Sequence, residues 1–262
     1  MTVLNVQQDY GAAGDGSTDD TVAIQSAVDD AGPGDTVYLP AGTYVVSKTD
    51  AVDNEACVML DSARGSGVSD VEFVGDKADT TIRLSDGNDN FVKVLGVDCT
   101  STITGLVLRD FVVDGNRTGQ TSDARGMNIG IADEGANDND IVVRNVKSVS
   151  ALDTGIAPRA GGVTVEDCTV TDAGKHGIGV GHPSGRVVVR RCLAKHNSPG
   201  EPTYNLDFSN GSGLVEDCVL NESGGSGFKT TEDVVDVTYR RVRSEGNELS
   251  GYMYTGKGGS PN

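Results

Sequence analysis

Six segments along the chain share one short pattern, in which an apolar residue and a second apolar residue bracket two polar ones. They are Leu108 to Phe111, Val143 to Val146, Val165 to Cys168, Val189 to Cys192, Val215 to Cys218 and Tyr239 to Val242. From Val146 onward the closing apolar position recurs at steps of 22, 24, 26 and 24 residues. A second short apolar segment follows most of them, at Gly155-Ile156, Gly177-Ile178, Asn205-Leu206, Gly227-Phe228 and Gly251-Tyr252. The residues between are turn formers, such as Thr171-Asp172-Ala173-Gly174 and Asn221-Glu222-Ser223-Gly224. Short strands on this period, with no helical pattern between them, predict coils stacked in parallel, each roughly 4.8 Å above the last. The Asn/Leu signature of leucine-rich repeats is absent, and an antiparallel sandwich would not keep the same residue types in phase. The expected fold class is all-β: a right-handed parallel β-helix of three-strand coils.

The phase also makes a column of Val146, Cys168, Cys192, Cys218 and Val242. A small apolar thiol suits an interior column. The five cysteines are odd in number and lack CxxC spacing, which argues against zinc. Parallel side chains in one column also make poor disulfide geometry, so buried free thiols are expected.

One helix is predicted near the start. Asp19 and Asp20 precede a segment that places Ala23, Ile24, Ala27, Val28 and Ala31 on one face, and Gly32-Pro33-Gly34 ends it. Such a helix would close the open end of a solenoid, whose bare strand edges invite aggregation. Residues 1–47 are therefore expected to form the cap helix and first coil, 48–255 the remaining coils, and 256–262 a flexible tail, within a single domain. The Gly-rich tail is too flexible to cover the other end, so a partner subunit or a further domain is expected there.

Net charge is −18 and the pI about 4.4. This excludes a nucleic-acid face, which needs a basic surface. Asp outnumbers Glu and Arg outnumbers Lys, a bias that resembles proteins of extreme halophiles; an ordinary acidic secreted protein is the alternative. No segment approaches a membrane span, and Met1 to Gln7 shows neither the basic nor the apolar region of a signal peptide. The expected location is a virion surface, or the extracellular space if a leader is missing.

The run Tyr10-Gly11-Ala12-Ala13-Gly14-Asp15-Gly16-Ser17-Thr18-Asp19-Asp20-Thr21-Val22-Ala23-Ile24-Gln25, followed by Val37-Tyr38-Leu39-Pro40-Ala41-Gly42-Thr43-Tyr44, resembles the opening of the pectate-lyase-like superfamily. That superfamily includes polygalacturonase-like hydrolases, alginate epimerases and viral tailspikes. The resemblance implies the fold and a long outer groove for a polysaccharide, but one fold hosts many functions. Phe111 to Arg117 also resembles the alginate epimerases, whose next coil carries Tyr-Gly-Phe-Asp-Pro-His. Here that frame reads Thr154-Gly155-Ile156-Ala157-Pro158-Arg159, so the three groups that act on the sugar are replaced. The aspartate of their following coil aligns near Gly181.

If Ile156, Ile178, Leu206, Phe228 and Tyr252 point inward, the outward column is Ala157, Gly179, Asp207, Lys229 and Met253. Two residues further lie Arg159, Gly181, Ser209, Thr231 and Thr255. Asp207 and Lys229 are the candidate catalytic pair, or simply a cross-strand ion pair. Asp207 lacks the second carboxylate that a hydrolase needs, since Glu232 and Asp233 fall in a turn. Arg159, His182 and Arg186, with Asp207 and Lys229, are the candidate substrate-binding set. His176 is expected to pack at a strand end. No resident cofactor or metal is expected. Ca²⁺ is the one candidate, at Asp15 to Asp20, Asp86 to Asn90 or Asp133 to Asp140, where the rival reading is a turn or a solvated acidic loop.

These features point to a glycan-binding β-helix, expected as a turret, spike or tail-fibre protein of a virus of a halophilic archaeon. Its expected partners are a host surface polysaccharide or glycoprotein, further copies in a homotrimer, and other virion proteins. The alternative is an extracellular polysaccharide lyase or glycoside hydrolase.

Overall fold

In the computed structural model the described residues are 1–48, 56–63, 67–88, 91–121, 124–133, 139–181, 185–197, 203–231 and 234–255. The strand ladders among them are parallel throughout, as the two-dozen-residue period requires. A full coil carries three strands, for example Val163–Glu166, Thr169–Thr171 and His176–Val180. Stacking them makes three faces. The first two merge into one 15-stranded sheet because Leu106–Asp114 and Ile141–Val149 run unbroken through the corner between them. The third face is an 8-stranded sheet, running from Ala56–Asp61 through Phe91–Cys99, Arg125–Asp133, Thr154–Pro158, His176–Val180, Tyr204–Phe208 and Ser226–Thr231 to Tyr252–Thr255.

The core runs down the axis as columns of like residues. Ile129, Ile156, Ile178 and Leu206 stack in register and are fully buried. Cys168, Cys192 and Cys218 are likewise buried and free, as the repeat phase predicts, and Val242 packs half-buried against the same core.

The polar pair inside each repeat makes the corner. Its second residue adopts a left-handed backbone in all six copies: Asp110, Asn145, Asp167, Arg191, Asp217 and Arg241 have φ between 50° and 63°. A non-glycine residue there carries a steric penalty, least for Asn and Asp. Side-chain bonds between coils offset it. Arg191 grips Asp167 through two nitrogens, at 2.7 and 2.8 Å, and Arg241 grips Asp217 in the same way. The first residue of the pair forms a parallel ladder of Arg109, Arg144, Glu166, Arg190, Glu216 and Arg240. Glu166 is nearly sealed from solvent, with Arg144 and Arg190 both at 2.6 Å and Arg191 at 2.9 Å.

A helix spans Thr21–Asp30 and buries Ile24, Ala27 and Val28 in the same core. Gln25 fixes it to the third face, accepting from Met59 N at 2.8 Å and donating to Met59 O at 3.0 Å. The two aspartates divide the work at its start. Asp19 accepts from Thr21 N at 2.9 Å, at the head of the helix. Asp20, although at the N-cap, turns away and accepts from Ala13 N and Gly14 N. Its carboxyl is held above the ordinary carboxylate range, by burial first.

Candidate functional site

The outward residues of the third face follow the register read from the sequence. Gly179, Asp207, Lys229 and Met253 are direct neighbours on successive coils, with Ala157 in the same position one coil before Gly179. The strict alternation assumed for this face fails at the start of each strand. Gly177 and Asn205 turn inward immediately before inward Ile178 and Leu206, so two consecutive residues face the interior. Asn205 is fully buried, donating to Asn221 O at 2.7 Å and accepting from Asn197 Nδ2 at 2.7 Å. A Cβ on Gly177 would stand 2.5 Å from Asn205 O, so only glycine fits beside that amide.

The doubled inward step throws His176 and Tyr204 onto the outer face. His176 is therefore no strand-end packing residue but a wall of the groove. Its ring stacks on that of Tyr204, centroids 5.4 Å apart and planes 9° off parallel. Its Nε2 lies 3.5 Å from Asp207 Oδ2. Asp207 also accepts from Ser209 Oγ at 2.8 Å and stands 3.7 Å from Lys229 Nζ. Lys229 in turn lies over the Tyr204 ring, 5.0 Å from its centroid, a cation–π arrangement. The Tyr204 hydroxyl lies 3.5 Å from Met253 Sδ. The result is a compact cluster of four coupled groups, His176, Tyr204, Asp207 and Lys229, spread over three coils.

Electrostatics follow from the burial. The side chains of His176 and Asp207 are only 13% and 12% exposed. His176 Nδ1 is buried and finds no hydrogen-bond partner among the described residues. An imidazolium needs an acceptor at each nitrogen, and here only Nε2 has one nearby. Burial pushes the imidazole down to about 4; the Asp207 charge opposes the shift, and Lys175, Lys229 and Arg159 reinforce it. The Tyr204 phenol is raised, by burial and then by Asp207. At neutral pH the His176 imidazole is thus neutral and the Tyr204 phenol protonated.

A cleft of about 340 Å³ opens over this cluster, lined by Asp153, Thr154, Arg159, Lys175, His176 and Asp207 among others. A second recess of about 200 Å³ continues it toward the N-terminal coils, past Lys93, Met127 and Gly130, and shares Arg159. The two make a groove along the outside of the third face. Another surface hollow, of about 470 Å³, is lined by Asp172, Glu222 and Glu248 with Arg117 and His196. There His196 pairs with Glu222, and the histidine is half exposed rather than buried.

Of the substrate-binding candidates, Arg159, Asp207 and Lys229 come together on one face. Arg186 does not join them. It opens the strand Arg186–Arg190 on the first face, opposite Ser212, and is exposed there, away from the third face that carries Arg159 and Asp207. His182, Glu232 and Asp233 lie outside the described residues, as do Asp89, Asn90 and residues 134–138 of the acidic loops. At the Asp15 loop the carboxylate is filled by the chain itself, accepting from Ser17 N and Thr18 N and from both hydroxyls. Among the described residues no group of three His, Cys, Asp or Glu side chains could hold a metal ion. No helix there is long and apolar enough to cross a membrane.

Comparison with known proteins agrees with this geometry. Residues 3–198 match the family model described as rhamnogalacturonase A/epimerase, pectate lyase-like. The mannuronan C5-epimerase AlgE2 of Azotobacter vinelandii is 28% identical over 239 residues, covering 88% of this chain and 23% of the relative. Alginate lyase 7 of the same organism is 33% identical over 180 residues, covering 65% of this chain and 20% of the relative. The chain thus spans a quarter or less of the length of these curated relatives. Among solved structures, the AlgE6 A-module of Azotobacter vinelandii superposes with a TM-score of 0.70 at 22% identity, over 95% of this chain and 72% of that one. The Dettilon tailspike protein superposes with a TM-score of 0.65 at 13% identity, over 96% of this chain and 46% of that one. These likenesses are of fold. With the family pattern covering well over half of its residues, the chain belongs to the rhamnogalacturonase A/epimerase, pectate lyase-like family, built on a parallel β-helix.

Proposed function

We propose that the groove on the third face holds an extended acidic polysaccharide. The observation that carries this reading is local charge inversion. In a chain of net charge −18, Lys93, Arg159, Lys175 and Lys229 gather with His176 along one outward face. The same groove also carries Asp153 and Asp207, so cations outnumber carboxylates there by four to two, and a locally positive stretch attracts an anionic polymer. In its full form the reading is of a glycan-binding protein on a virion surface, attaching to the glycoprotein or polysaccharide of a halophilic archaeal host as a homotrimer. The tailspike likeness and the Asp-rich composition support that form. The helix Thr21–Asp30 then serves as the cap of a single solenoid.

The test is binding of alginate, pectate and neutral dextran at moderate ionic strength, with the oligomeric state read by light scattering. Expected are binding of the two acidic polymers, no binding of dextran, and weakening by Arg159→Ala and Lys175→Ala. Equal binding of dextran, or none of any polymer, refutes the groove; a monomer refutes the trimer.

A second reading, a polysaccharide lyase or hydrolase, is favoured by the relatives named as epimerases and an alginate lyase. The replaced groups at Thr154, Ala157 and Arg159 count against the epimerase constellation itself.

A further inference from the structure

We propose that the last coil is a docking site for a strand of another polypeptide, paired in parallel with Val234–Arg240 and carrying two adjacent carboxylates opposite Arg240 and Arg241. The site lies at the end of the solenoid and is independent of the groove on the third face.

The first observation is an open edge. Val234–Arg240 and Tyr252–Thr255 are the last strands of the two sheets, and among the described residues each is paired with a strand on one side only. The N–H and C=O groups along such an edge are a template for one more strand. The second observation is a loss of burial at that edge. Val165, Val189 and Val215 stack in register and are fully buried, but Tyr239, next in the column, is only partly so. On the third face the buried column of Ile178 and Leu206 continues through partly buried Phe228 to Tyr252, which is 48% exposed. Leu249 and Tyr254 of the same coil are each 60% exposed. The rings of Phe228, Tyr239 and Tyr252 lie 4.7 to 6.5 Å apart, so the bare end presents an aromatic floor. An apolar patch of this kind, rimmed by charge, marks a protein contact.

The third observation selects the occupant. Successive corners alternate in doubled charge: Glu166-Asp167, Arg190-Arg191, Glu216-Asp217, Arg240-Arg241. The register sets Glu166, Arg190, Glu216 and Arg240 directly above one another. An internal member is served from both sides, since Glu166 takes Arg144 from the coil before and Arg190 from the coil after, both at 2.6 Å. At the end of the ladder the service is one-sided. Arg240 meets Glu216 at 2.5 Å, and Arg241 meets Glu216 and Asp217, all on the coil before. The two guanidiniums remain 56% and 58% exposed. The next place in the alternation therefore calls for an acidic pair, on a strand whose inward residues are apolar. A second copy of this chain does not supply it. Its first coil offers Asn5 at that place in the register, and the helix Thr21–Asp30 packs at that end. Two last coils set face to face would oppose arginine to arginine.

The probe is the chain's own acidic strand, a labelled peptide of residues 211–218 with Cys218→Ser. The control is its basic strand, residues 186–192 with Cys192→Ser. Fluorescence anisotropy should show the acidic peptide binding about tenfold or more tightly than the basic one, and more weakly as salt rises. Amide hydrogen exchange should slow along Val234–Arg240 when the acidic peptide is bound. Arg240→Gln combined with Arg241→Gln should erase the preference. That variant also removes bonds within the fold, so strand pairing is read separately on the unaltered protein, with two acidic peptides N-methylated at alternate amides. Successive residues of a parallel strand offer their amides to opposite edges, so one methylated set should abolish binding and the other should leave it. Equal binding of the acidic and basic peptides overturns the proposal, as does no binding. So does an equal response to the two methylated sets. Self-association of the protein that protects Val234–Arg240 without peptide makes a second copy the occupant, and also overturns it.

Discussion

Glu166→Gln tests the electrostatic ladder that holds the corners. The carboxylate is 4% exposed and serves Arg144, Arg190 and Arg191 at 2.6, 2.6 and 2.9 Å. Neutralising it leaves three guanidiniums facing one amide. Breaking a fully buried ion pair costs about 3–5 kcal/mol. Here the guanidiniums are 42–49% exposed, so water offsets much of that loss. Exposed pairs contribute about 0.2–1 kcal/mol each, and three of them place the expected cost at about 1–3 kcal/mol. At about 2–4 °C per kcal/mol for a chain approaching this size, the melting temperature should fall by about 2–12 °C. Thermal and urea melts at neutral pH in low salt provide the measurement. In molar salt the screening length drops from about 10 to about 3 Å, which relieves the guanidinium repulsion, so the deficit should shrink. The pH dependence has a definite sign. Burial alone would raise the Glu166 carboxyl, but hydrogen bonds from Arg144, Arg190 and Arg191 overcome it and hold it below the ordinary glutamate value. The wild-type advantage is therefore fully present above the unfolded value of about 4.3, and is lost as pH falls through the folded one. A variant within about 0.5 kcal/mol of wild type at neutral pH and low salt refutes the reasoning. So does a gap that persists after the carboxyl is protonated.

Two further substitutions or probes address the packing. Gly177→Ala forces a Cβ to within 2.5 Å of Asn205 O, and should cost about 1–3 kcal/mol in urea melts while disturbing the His176–Tyr204 stack beside it; a neutral variant would show that the doubled inward step is loosely packed. None of the five thiols should react with an aromatic disulfide reagent in the native protein, and all five should react in urea; burial raises the Cys57 thiol, hydrogen bonds between neighbouring thiols and then burial raise those of Cys192 and Cys218, and fast native labelling would contradict the buried thiols.

The solenoid was legible because its signal is repeated. The closing apolar position recurs often enough for phase alone to place Cys168, Cys192 and Cys218 in the core and Asp207 beside Lys229. The groove was legible only in part, because the period-two rule has no memory of where a strand bends. Two inward residues in succession, at Gly177-Ile178 and Asn205-Leu206, reversed the expected side of His176 and hid the central group of the cluster. The signal was present in the glycine: a residue without a side chain, one place before the inward isoleucine, marks a close approach of backbone. Arg186 erred the other way. It is four residues from His182 in sequence, but its strand belongs to the first face, and nearness along the chain is not nearness on a face. Asp20 shows the same limit at the helix start, where residue type predicts a helix cap but the neighbouring loop claims the carboxylate.

The parallel register has a kinetic consequence. Thr154 pairs with His176, Gly179 with Asp207, and Asp207 with Lys229, so each strand finds its partner only one coil away along the chain. Relative to a chain of 262 residues, that separation gives a contact order of about 0.1, in the range of helical bundles and well below the roughly 0.16–0.22 of sandwiches and small barrels. The usual association of β structure with slow, long-distance search therefore does not apply. Once one pair of coils has formed, each further coil closes only one short loop onto a finished template, and assembly can advance by accretion from any point along the axis.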